Sequence, residues 1–186
     1  MQQSKTRSGL NLATAIAATF LVATAPAQAT SLSYILDQSN VLADGAAYLR
    51  VDVSDGENGA VNFTVQVLDA LTNLAASNFG IDSFGFNVVA NGDAEARNIS
   101  SLPDSWRAVN GKRMDGFGLF DIRLQGNGHS RVETLSFSIT GVDGDSAADY
   151  AVFSTGNADQ GHQYFAAHVA GFQSGATVVD DPQSGP

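Results

Sequence analysis

Hydrophobic and polar positions alternate along most of the chain from residue 30 onward. Leu32, Tyr34 and Leu36 share one side of a first extended segment. Leu49, Val51 and Val53 share one side of a second, opposite Arg50 and Asp52. Val61, Phe63, Val65 and Val67 alternate with Asn62, Thr64 and Gln66. A period of two sends successive side chains to opposite faces, so each run reads as a strand with one dry and one wet face. The pattern returns at residues 84–88 (Phe84, Phe86, Val88), 120–124 (Phe120, Ile122, Leu124) and 135–139 (Leu135, Phe137, Ile139). Residues 150–154 and 164–172 are further strand candidates. The segment "SDGENGA", residues 54–60, is rich in residues that tolerate positive φ and predicts an antiparallel hairpin; "QGNGHSR", residues 125–131, predicts another. "LDALTNLAAS", residues 68–77, carries Leu68, Leu71, Leu74 and Ala75 at helical spacing and predicts a short helix or an irregular crossover. One-sided strands must pair their dry faces. The expectation is an all-β fold, an antiparallel, jelly-roll-like β-sandwich.

The N-terminal pattern differs. Lys5 and Arg7 precede an uncharged run over residues 10–25, followed by Pro26 and the small-x-small series Ala27-Gln28-Ala29. This reads as a secretory signal peptide over residues 1–29, cut after Ala29. The run is diluted by Thr and Asn and falls short of the ~20 apolar residues of a membrane span. The sandwich domain is expected over residues 30–172. Residues 173–186 have little to bury and read as a flexible tail.

Composition narrows the partners. The 186 residues carry a formal charge of −10, which becomes −12 once Lys5 and Arg7 leave with the leader. An acidic exported chain is repelled by nucleic acid and by anionic membranes, and neither is an expected partner. There is no cysteine, so a core of apolar side chains must hold the domain without disulfides, and thiolate chemistry is excluded.

Candidate chemistry is sparse. In "GVDGDSAAD", residues 141–149, the carboxylates of Asp143, Asp145 and Asp149 are spaced by small residues. The first reading is a tight Asp-Gly turn; calcium held by the three carboxylates is the alternative. The helix-loop-helix calcium pattern does not fit, because its Gly and Glu positions fall on Ala148 and Ser154. Trp106 is the only tryptophan; it reads as core first and as a platform for sugar stacking second. Phe117, within "MDGFGL", reads as part of a β-bulge first and as a loop-tip aromatic for glycan second. His129 sits at a Gly-rich tip. His162 and His168 are too far apart along a strand to share a metal, and no zinc spacing appears. Ser154, Asp159 and His162 form a set that chance alone supplies in a chain this rich in Ser and Asp. Gly-x-Ser-x-Gly and phosphate-loop patterns are absent, and no catalytic residue is assigned.

Five segments carry a family resemblance: "NFTVQ" (62–66), "NFGIDSFGFN" (78–87), "MDGFGLFDIRL" (114–124), "LSFSITGVDGD" (135–145) and "YFAAHVAGF" (164–172). Together they resemble exported proteins of Gram-negative bacteria of the PEP-CTERM type. The resemblance spans most of residues 32–172. It implies a cell-surface or extracellular-matrix setting among exopolysaccharides and brings no established enzymatic activity, and so no catalytic residue, to this chain. The Pro-Glu-Pro-like sorting signal of that group is not found in the final stretch "DDPQSGP". The expected function is a non-enzymatic exported cell-surface or extracellular-matrix protein, associated with exopolysaccharide, that acts by binding or scaffolding, with a calcium-assisted carbohydrate-binding module as the alternative. A third expectation is self-association, in which "TSLSYILD", residues 30–37, adds to the open sheet edge of a second copy.

Overall fold

The alternating runs become strands whose dry faces meet. The computed structural model describes residues 29–90 and 92–175. The expected leader, except Ala29, lies outside the described residues, as does the expected tail from residue 176. In chain order the described elements are β1 (Ser31–Leu36), β2 (Leu49–Asp55), β3 (Val61–Val67), α1 (Asp69–Thr72), β4 (Ala75–Phe86), β5 (Ile99–Ser100), β6 (Arg107–Met114), β7 (Gly118–Gln125), β8 (Thr134–Ile139) and β9 (Phe165–Phe172). Two antiparallel sheets result, ordered β1-β2-β3-β8-β5 and β6-β7-β4-β9. This is the expected all-β sandwich. The 54–60 hairpin joins β2 to β3 through a 3-10 turn at Glu57–Gly59, and α1 is the short helix foreseen over residues 68–77. β1 pairs along its whole length with β2 in its own sheet.

Aromatic side chains from both sheets fill the interface. Phe63 of β3 stacks on Phe137 of β8 at 4.6 Å between ring centroids and meets Tyr150 edge-on at 5.2 Å. Phe84 of β4 stacks on Phe165 of β9 at 5.8 Å. These rings are nearly or wholly inaccessible. Each such pair contributes about 0.5–1.5 kcal/mol beyond the area it buries. A core of this kind takes the place of the absent disulfides.

Three sequence expectations are corrected, and one long strand comes without an expectation. First, residues 125–131 do not close a hairpin. β7 belongs to one sheet and β8 to the other, so this loop crosses between them; a bridge between Ile81 and Val132 fastens the crossing. Turn-forming residues mark where the chain bends but not which sheet receives it. Second, residues 150–154 are not a strand. A 3-10 turn over Ala147–Tyr150 starts at Ser146, and its Ser-x-x-Asp capping box redirects the chain. Third, Phe120 does not join Ile122 and Leu124 in the main core. It packs with Met114 and Ala166 over Gly85, on the opposite side of its sheet. The ladder is interrupted there: Gly111 has φ 58° and drops out of the β6–β7 register, and the Asp121 N–H bonds the Asn87 side chain instead, at 2.9 Å. The unexpected strand is β6, which had no alternating signal. It is an edge strand exposed along most of its length and studded with Arg107, Lys112 and Arg113, a pattern that discourages edge-to-edge pairing.

Candidate functional site

The acidic loop is a turn held by its own carboxylates. Asp149 accepts hydrogen bonds from the Ser146 N–H at 2.9 Å and the Ser146 hydroxyl at 2.8 Å, which caps the 3-10 turn. Asp145 accepts the phenolic proton of Tyr150 at 2.6 Å. Burial pushes the Asp145 carboxyl above the usual range against the pull of that hydrogen bond, with Asp149 and Asp55 adding repulsion. The Tyr150 hydroxyl is itself raised by burial and by its bond to Asp145. Asp55, from the end of β2, accepts the Ala147 and Thr30 N–H groups, each at 2.7 Å, and these bonds hold its carboxyl below the usual range. Asp143 is exposed on the turn. Among the described residues no three acidic or imidazole side chains are placed to share a metal ion.

Trp106 is buried, 8 % exposed, and its indole N–H donates to the Ser130 carbonyl at 2.7 Å. It presents no free ring face to a sugar, so the stacking role considered for it is corrected to a packing role. Phe117 is half-buried in the turn that joins β6 to β7, not in a β-bulge; its N–H bonds the Met114 carbonyl at 3.0 Å. Ser154, 4 % exposed, donates its hydroxyl to the Phe117 carbonyl at 2.5 Å and accepts the Gln163 N–H at 3.3 Å. His162 lies 3.3 Å from the same hydroxyl oxygen. The serine proton is directed at the Phe117 carbonyl and not at the imidazole. Asp159 is bonded by Asn157 at 2.9 Å. His168 is exposed and faces Asp82 at 3.6 Å, and His129 is exposed. The three histidines are not brought to one place.

What the structure does assemble is a groove between the second half of β1 and the start of β9, edge strands of opposite sheets. Its lining includes Tyr34, Asp37, Gln38, Phe117, Gln163 and Tyr164. Tyr34 meets Tyr164 at 5.7 Å and Phe165 at 5.1 Å, both edge-on. Phe153 stacks on Tyr164 at 4.2 Å and is 53 % exposed, so its other face is open to solvent. Burial and the neighbouring Tyr164 hold the Tyr34 hydroxyl above its ordinary range. The cavity holds only about 80 Å³, against the ~300 Å³ or more that encloses a small-molecule ligand. It therefore suits an extended ligand lying across the surface, with an aromatic face beneath and amide, carboxylate and phenol groups beside it.

Of these residues the sequence reading had singled out only Phe117. Phe153 sat inside a supposed strand, and Tyr34 and Tyr164 looked like ordinary dry-face positions. The usable signal was the pair Phe153 and Tyr164 flanking a polar, Gly-containing stretch. Compared with family models, curated proteins and solved structures, the chain matches none of them.

Proposed function

We propose that this protein is an exported, non-enzymatic component of the cell surface or matrix that binds polysaccharide along the β1–β9 groove. The carrying observation is Phe153, a large aromatic ring backed by Tyr164 and open on its outer face, at the rim of a groove lined by Gln38, Gln163 and Asp37. Sugars present C–H faces that pack on aromatic rings and hydroxyls that bond amides and carboxylates. The segments that resemble PEP-CTERM-type exported proteins support the same setting, as does the acidic, cysteine-free composition.

The test is affinity electrophoresis of the full chain through gels carrying a panel of neutral and acidic polysaccharides. At least one should retard it. Phe153→Ala should weaken that retardation roughly tenfold, about 1.4 kcal/mol. No retardation by any polymer, or an unchanged response in Phe153→Ala, overturns the groove reading. Depolymerisation of a panel member overturns the non-enzymatic one.

A further inference from the structure

At the far end of β7 from the groove lies a second, polar cleft of about 360 Å³, lined by Asp82, Ser105, Arg107, Gln125, Asn127 and Gly128. Arg107, Gln125, Ser83 and His168 pair across β6, β7, β4 and β9 in a single row, so the cleft opens on the outer face of the four-stranded sheet. Trp106 fixes its walls. The indole sits between two lining residues, Ser105 and Arg107, bonds Ser130, and packs directly against Gly126.

The hydrogen-bond inventory of the cleft is one-sided. Gln125 Oε1 accepts from Arg123 Nη2 at 2.8 Å. Asn127 Oδ1 accepts the His129 and Ser130 N–H groups, both at 3.0 Å, and the Ser130 hydroxyl at 2.9 Å. Since those partners are donors, both amide orientations are fixed, and both amide nitrogens are left as donors without a protein acceptor among the described residues. The Arg107 guanidinium is exposed and likewise has no acceptor there. The one carboxylate in the lining, Asp82, is already engaged: by the Gly128 N–H at 3.1 Å, by Arg131 at 3.7 Å and by His168 at 3.6 Å. A cleft that offers a guanidinium and two amide nitrogens, with its only acid offset, is built for an anion.

We propose that this cleft binds the carboxylate of an acidic sugar, a uronate unit of the polysaccharide, with Arg107 as its bidentate partner and the Gln125 and Asn127 amides beside it. This rests on the polysaccharide-binding reading above and adds its substrate class. β7 separates the cleft from the Phe117 end of the groove by roughly 24 Å of strand, so the two sites can be tested independently.

The experiment titrates the full chain with a galacturonate oligomer and with the same oligomer after carboxyl reduction, following Trp106 emission and calorimetric affinity. The galacturonate oligomer should shift the emission, and the reduced oligomer should bind at least tenfold more weakly. Arg107→Ala should bring the first down to the level of the second, and Arg107→Lys, which keeps the charge and loses the fork, should fall between. Arg107 is exposed, so circular dichroism of the variants should match the parent. Equal affinity for the two oligomers, or an unchanged affinity in Arg107→Ala, overturns the proposal. If polymers are retained without carboxylate preference and Phe153→Ala releases them, the groove stands and the cleft falls. If the emission shift depends on the carboxylate while Phe153→Ala behaves as the parent on every polymer, the cleft stands and the groove falls. Binding of neither oligomer removes the cleft reading outright.

Discussion

At Gly80 the backbone takes φ 142°, and a Cβ there would stand 2.7 Å from the carbonyl oxygen of Val132. Neither the conformation nor the space admits a side chain. Gly80→Ala should lower unfolding free energy by about 2 kcal/mol or more in urea titration, through backbone strain and a displaced Ile81–Val132 bridge. Two carboxylates give opposite signs with pH. The folded value of Asp55 is depressed, so its stabilisation is present above the ordinary carboxylate range and is lost as pH falls through the folded value. The folded value of Asp145 is raised, so its contribution is most favourable at acid pH and declines as pH rises through the carboxylate range. In thermal melts, Asp55→Asn should be less stable than the parent at pH 7, with the gap closing as pH falls through the depressed folded value of Asp55. Asp145→Asn keeps an acceptor for Tyr150 and should gain stability at pH 7, with the gain fading as pH falls from the raised folded value of Asp145 into the ordinary carboxylate range. At this scale the sequence was informative where local chemistry decides. Ser146 and Asp149 form a readable capping box, which is why the turn reading of the acidic loop survives. The core reading of Trp106 also holds, but its partners Ser130 and Gly126, from another part of the chain, were not legible.

Elements with strict alternation and one covered face were legible: β2, β3 and β8 fall where Val51, Phe63 and Phe137 point inward. Elements whose place depends on their neighbours were not. β5 is two residues long and exists because Ile99 and Ser100 find the edge of β8. The segment after Tyr150 leaves the capped 3-10 turn and is held by isolated backbone bonds, Ser154 to Gln163 and Thr155 to Leu119, and by the Ser154 side chain, not by a continuous ladder. That side chain bonds the Phe117 carbonyl, the Gln163 N–H and His162, linking the β6–β7 turn to the approach to β9. Ser154→Ala leaves the half-buried Phe117 carbonyl and Gln163 amide short of a partner, which costs about 1 kcal/mol. The same variant should loosen the Phe117 wall of the groove, seen as faster amide exchange at residues 115–118 and 160–164 than elsewhere in the sheets.

For the molecule as a whole, two layers could be inferred from periodicity alone, because one-sided strands leave no other stable arrangement. The two surface sites could not. The groove gathers Tyr34, Phe117 and Tyr164 from three separate stretches, with Phe153 stacked on Tyr164 beside it, and the cleft gathers Asp82, Arg107 and Gln125 from three strands. Such neighbours are set by sheet order, which no single run of residues encodes. Sheet order also governs how the chain reaches its final form. The meander β1-β2-β3 is sequential, but the next partner of β3 is β8; Asn62 and the Ser138 it bonds lie 76 residues apart. During synthesis, β3 waits with a bare hydrogen-bonding edge until β8 arrives, and the central seam of the larger sheet closes late. That places the protein among slow, non-local folders, and makes the interval before closure its most vulnerable moment for joining the wrong edge.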